Sequence, residues 1–159
     1  MRYLACILLL MTAAAGVARA TPDEEVLAVI APPDFAGRPP AAQELTLIFK
    51  RKKLIWEDGN RLQPVNLPAD HPWRRLFSQR VMKSLPEAQA QYWNSMYYHG
   101  IYPPHVVASG EAMLRYVSET RGALGYIGAC DVDARVKPLL WLLPSGQVSE
   151  TPPELHCTH

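Results

Sequence analysis

Gly122-Ala123-Leu124-Gly125-Tyr126-Ile127-Gly128 reads as a tight turn feeding a short buried strand. A glycine opens it, and the apolar run is the length of a strand rather than of a helix. Working outward, Glu25–Ile30 (EVLAVI) is a second β-rich run, stopped by Pro32-Pro33, and reads as another buried strand. Val136–Leu143 (VKPLLWLL) reads as the last strand, with a loose polar tail from Pro144. Leu62–Leu67 is a fourth strand, which Pro64 places at a sheet edge because proline cannot donate to a ladder.

Helical signals fall between these runs. Residues 32–40, rich in proline, form a loop, and a helix follows over about Ala41–Lys50, with Leu45, Ile48 and Phe49 on one face. Lys50-Arg51-Lys52-Lys53 closes it, where cations suit the carbonyl end. Asp58-Gly59-Asn60 is a turn. Asp70-His71-Pro72 opens the next helix, with Asp70 as cap and Trp73, Leu76, Phe77 and Val81 as its buried stripe. Ser84-Leu85-Pro86-Glu87 has the spacing of a capping box and opens a helix to about Ser95. His99–Val107 is an aromatic, proline-rich loop. Ser109 caps a helix carrying Met113, Leu114 and Val117. The order β-α-β-α-α-α-β-β implies an α/β layer architecture, helices packed on a central sheet.

The chain has 159 residues and a net charge of +1, so nothing in its composition argues for nucleic acid or an anionic membrane surface. Met1-Arg2-Tyr3, the apolar run Leu4–Ala15 and Ala18-Arg19-Ala20 make the three regions of a secretory signal over residues 1–20. Residues 21–159 are then one domain, expected in the periplasm or outside the cell. Export places Cys130 and Cys157 in an oxidising compartment. Two readings remain open: a Cys130–Cys157 disulfide, or one buried thiol and one terminal thiol.

Four segments in order carry a resemblance: VLAVIAPPD at Val26–Asp34, LTLIFKRKKLIWEDG at Leu45–Gly59, LQPVNLPADHPWRRLFSQRV at Leu62–Val81, and RGALGYIGA at Arg121–Ala129. Together they resemble the phosphate-binding proteins of ABC importers, in the type II periplasmic binding-protein superfamily. The resemblance implies an α/β fold of one lobe, a central mixed sheet flanked by helices. It implies a non-enzymatic solute-binding role for phosphate or another small anion, with a membrane permease or sensor as partner and no cofactor.

Two departures qualify the implied function. The family's anion loop carries Asp-Gly-Ser-Gly-Thr, whose hydroxyls and N–H groups wrap phosphate at a helix start. Here the stretch is Ala69-Asp70-His71-Pro72-Trp73: the hydroxyls are gone, Pro72 removes a donor and Trp73 replaces a small residue. The chain is also about one lobe long, whereas the family closes two lobes on its solute. A protein-interaction or sensor-adaptor domain that has lost its solute is therefore the competing reading.

The candidate anion residues are Asp70, His71, Arg74 and Arg75 at one helix start, and Ser109 and Gly110 at another. Guanidinium forks suit phosphate or carboxylate; plain caps and a solvated helix face remain the alternative. Lys50–Lys53 is either an acidic-partner surface or a solvated helix end. Tyr92, Trp93, Tyr97, Tyr98 and Tyr102 are either a stacking patch or packing. His156, Cys157 and His159 lie at short spacing but without the framework of a metal site. No nucleophile elbow, phosphate-cradling loop or His-Glu-x-x-His motif is present, which argues against an enzyme.

Overall fold

The central strand, β1 (Leu27–Ala31), is buried at all five positions. It is flanked on both sides because its sequence is apolar at every residue rather than at alternate ones. In the computed structural model, which describes residues 25–157, six strands form one sheet in the order β3-β2-β4-β1-β5-β6. β4 (Ala123–Gly128) and β5 (Lys137–Leu142) pair antiparallel to β1, and β6 (Val148–Ser149) pairs antiparallel to β5. β2 (Gln63–Asn66) runs parallel to both β4 and β3 (His105–Val106). The sheet is therefore mixed, as the resemblance implied. The signal segment expected over residues 1–20 lies outside the described residues.

Helices α1 (Ala42–Phe49), α2 (Pro72–Phe77), α3 (Ala90–Tyr98) and α4 (Gly110–Glu119) connect or flank the strands. α1 buries Leu45, Ile48 and Phe49, and α4 buries Met113, Leu114 and Val117, as their spacing predicts. α2 passes into a π-helical turn over Ser78–Met82 that ends at Lys83 with φ +53°. Thr46 Oγ1 donates to the Val81 carbonyl at 2.8 Å and ties this turn to α1. An aromatic cluster seals the helices to the sheet: Phe77 stacks on Tyr126 with ring centroids 4.0 Å apart, and Phe49 meets Phe77 at 4.5 Å. The buried Tyr126 hydroxyl donates to Asn66 Oδ1 at 3.1 Å and accepts the Leu67 N–H at 3.3 Å, so its polar group is satisfied.

Five local expectations are corrected. β2 is not an edge strand, since β3 covers it. Pro64 is tolerated because the Asn66 carbonyl, two residues on, faces β3, so Pro64's nitrogen faces that side too. There β3 pairs only with Val65 and Asn66, so no ladder bond is asked of the Pro64 nitrogen. His71, not Asp70, caps α2. The Ser84–Glu87 capping box does not form: Pro86–Gln89 is a 3₁₀ turn, and Glu87 pairs with Arg75 at 3.1 Å. The aromatic loop contains β3, whose two residues were too short to show a period. β5 is not the last strand, and the tail is not loose. It turns at Gly146, adds β6, and Cys157 is bonded to Cys130 across a Cα–Cα distance of 5.5 Å. Of the two open cysteine readings, the structure has the disulfide.

Candidate functional site

The starts of α2 and α4 and the C-terminal end of β4 meet at one place. Ser109 caps α4, its Oγ accepting the Ala112 N–H at 3.2 Å. His71 caps α2, its Nδ1 accepting the Trp73 N–H at 3.2 Å. Burial holds the His71 imidazole below its ordinary value, against the pull of the Asp70 charge, which suits the neutral form an acceptor nitrogen needs. Asp70 itself is exposed.

Trp73 occupies the space between these elements. A Cβ on Gly110 would stand 2.7 Å from Trp73 Cζ3, and a Cβ on Gly128 would stand 2.7 Å from Trp73 Cζ2. The indole thus lies directly against two positions that only glycine leaves open. Its Nε1 donates to Glu25 Oε1 at 2.6 Å. The same imaginary Cβ on Gly128 would stand 2.8 Å from both Glu25 Oε1 and Asp131 Oδ2, so two carboxylates converge beside the ring. Desolvation raises the Glu25 pKa; the Trp73 hydrogen bond opposes this, and the Asp131 charge adds to it. The Arg80 charge lowers that pKa, and Arg80 Nη1 donates to the Glu25 carbonyl, so an oxyanion brought here would meet an aromatic ring and two carboxylates beside a cation already engaged with Glu25.

The remaining candidates separate. Arg75 is committed to Glu87. Arg74 turns inward, lining a small depression with Asn66, Phe77, Ser78 and Trp93. Its Nε is buried without a hydrogen-bond partner, as is Ser78 Oγ. Gly110 lies under the Trp73 ring. Glu25 and Asp131 went unread in the sequence: Glu25 looked like the first residue of a strand, and no motif surrounds Asp131.

The basic run divides as well. Lys53 pairs with Glu44, and Lys50 Nζ lies 5.8 Å from the Tyr92 ring centre. The aromatic set splits into half-buried Tyr92 and Trp93, which pack at 4.9 Å, and exposed Tyr97, Tyr98 and Tyr102. Cys157 sulfur is taken by the disulfide, and His159 lies outside the described residues.

No protein-family model and no curated protein sequence matches the chain. Solved structures do. An ABC-type phosphate transport receptor from Vibrio cholerae superposes with a TM-score of 0.59 at 19% identity, over 72% of this chain and 45% of that one. Over that span the chain shares the fold of an ABC-type phosphate transport receptor. A Clostridium perfringens chain assigned as a phosphate ABC transporter substrate-binding protein, solved with phosphate bound, gives 0.58 at 15% identity, over 72% of this chain and 44% of that one. PstS from Borrelia burgdorferi gives 0.53 at 16%, over 67% and 41%. The chain spans less than half the length of each of these receptors.

Proposed function

We propose that this chain is a non-enzymatic, exported lobe of the periplasmic binding-protein type that has lost phosphate at the α2 and α4 starts and acts as an interaction or sensor-adaptor module. The observation that carries the reading is the Trp73 indole seated against Gly110 and Gly128, with Glu25 and Asp131 beside it. Helix-start N–H groups attract an anion only if it can reach them. A ring in the way removes access, and two carboxylates nearby weaken the field for an anion. A single wall also encloses far less of a solute than the 70–90% typical of a tight pocket. The partner class is a membrane permease or sensor protein, the one that the sequence resemblance implies.

Titration calorimetry with inorganic phosphate and sulfate tests this. No heat at millimolar concentration is expected. Phosphate binding that disappears in His71→Ala or Ser109→Ala would overturn the reading. A second reading keeps a small anion at Asp70, His71, Arg74, Arg75, Ser109 and Gly110. The unpartnered Arg74 Nε is the observation in its favour. It requires phosphate heat that falls in Arg74→Gln.

A further inference from the structure

A groove lies at the other end of the sheet. It holds about 390 Å³ and opens where β2 and β3 begin, between the C-terminal end of α1 and Tyr116 of α4. β4 runs from this end, at Ala123, to the Trp73 end, at Gly128. At ~3.3 Å per residue the two places are about 16 Å apart.

Arg51 and Arg61 both line the groove. Arg51 follows the cap of α1 with φ +58°, in the left-handed region. The Lys52 and Lys53 N–H groups fold back to the Leu47 carbonyl at 2.7 and 3.1 Å, so the helix end requires this conformation. Glycine is the ordinary residue at such a helix end. An arginine there goes against the local preference of the backbone, and strain of this kind gathers where a side chain has a task.

Among the described residues that task is not ion pairing: neither Arg51 nor Arg61 has a carboxylate partner there. Arg51 Nε is buried and unbonded, and Nη1 of the same guanidinium makes a long hydrogen bond, 3.4 Å, to the Leu62 carbonyl. Desolvation first, then the charge of Arg61, hold the Arg51 guanidinium below the usual arginine range. Two guanidinium groups therefore line one groove, and an oxyanion between them would offset the desolvation and repulsion that Arg51 carries. Apart from Gln63, the rest of the lining is aromatic, aliphatic or glycine: exposed Tyr102 and Pro103, buried Pro104, and Tyr116 stacked on His105 with centroids 5.0 Å apart.

We infer that this groove binds a small organic oxyanion, a carboxylate or phosphate monoester joined to a ring or hydrocarbon body. Arg51 and Arg61 take the oxyanion, and Tyr102, Tyr116 and Pro103 take the body. The volume is that of a small-molecule pocket rather than of a bare-ion site. The inference stands apart from the fate of the α2 and α4 starts.

Calorimetry on the whole chain with phenyl phosphate, benzoate, neutral benzamide and inorganic phosphate tests it. Phenyl phosphate or benzoate should bind, and whichever is tighter identifies the head group. Arg61→Gln should weaken it about ten-fold or more, as expected for a charge-assisted pair. Arg51→Gly should weaken it comparably while the melting temperature holds or rises, because glycine relaxes the left-handed turn. If Arg51→Gly does not fold, Arg61→Gln decides. No heat with either aromatic anion would overturn the proposal. So would benzamide binding as tightly as benzoate, or affinity unchanged in Arg61→Gln. Phosphate heat lost in His71→Ala but kept in Arg61→Gln would belong to the other end of the sheet.

Discussion

Trp73 makes contacts that depend on one another. Its ring needs Gly110 and Gly128, and its N–H needs Glu25. Truncating a half-buried tryptophan costs on the order of 3 kcal/mol, so Trp73→Ala should lower the urea midpoint clearly. Glu25 carries a sign that can be checked. Its folded-state pKa is raised, chiefly by desolvation, so the folded chain holds that proton more tightly than the unfolded one. Stability from this group is greatest below the ordinary carboxylate pKa and falls as pH rises through the folded value. Glu25→Gln should therefore be more stable than the parent at neutral pH, and the advantage should vanish under acid; denaturation curves at several pH values measure this. Tyr126 is a third case. Tyr126→Phe keeps the stack on Phe77 but strips a partner from buried Asn66 and from the Leu67 N–H. Leaving buried polar groups unpaired costs about 1–3 kcal/mol, read as a lower midpoint at unchanged slope.

Between elements, the fit of α2 to α4 and β4 is set by what the glycines leave open. A methyl at Gly128 would overlap Trp73 and two carboxylates. Overpacking of this kind costs about 1–3 kcal/mol. Gly128→Ala should therefore destabilise the parent, but much less in a Trp73→Ala background. A double-mutant cycle with additive effects would show that the ring and the strand end do not touch. The helical stripes of α1 and α4 were legible because 3.6-residue periodicity is a local property that burial enforces. The capping box at Ser84 was misread because its pattern describes spacing alone. Glu87 had a guanidinium within reach, and that partner is fixed by tertiary position.

Over the whole molecule, the disulfide joins the turn after β4 to the end of the described chain. Its 27-residue separation corresponds to about 3–4 kcal/mol of unfolded-chain restriction in a loop-entropy estimate. Reduction, or Cys130→Ser with Cys157→Ser, should lower the urea midpoint accordingly, and β6 should lose hydrogen-exchange protection before β1. The strands β1, β4 and β5 and the two amphipathic helices could be read directly, because each declares itself by its own composition. The cradle could be read only by what it lacked: Pro72 and Trp73 stand where donors and a small residue belong. What the Trp73 ring meets there could not be read, since residues 25, 73, 110, 128 and 131 come together only through the sheet order.

The amino-acid order alone determined a run of buried strands, amphipathic helices between them, and a pair of cysteines free to join. The tertiary structure alone decided that the cysteines join, that an indole lies between two helix starts, and that two arginines share a groove at the far end. The reason is range: burial periodicity acts over a few neighbouring residues, while these contacts are made by a sheet that sets β2 beside β4 and β1 beside β5.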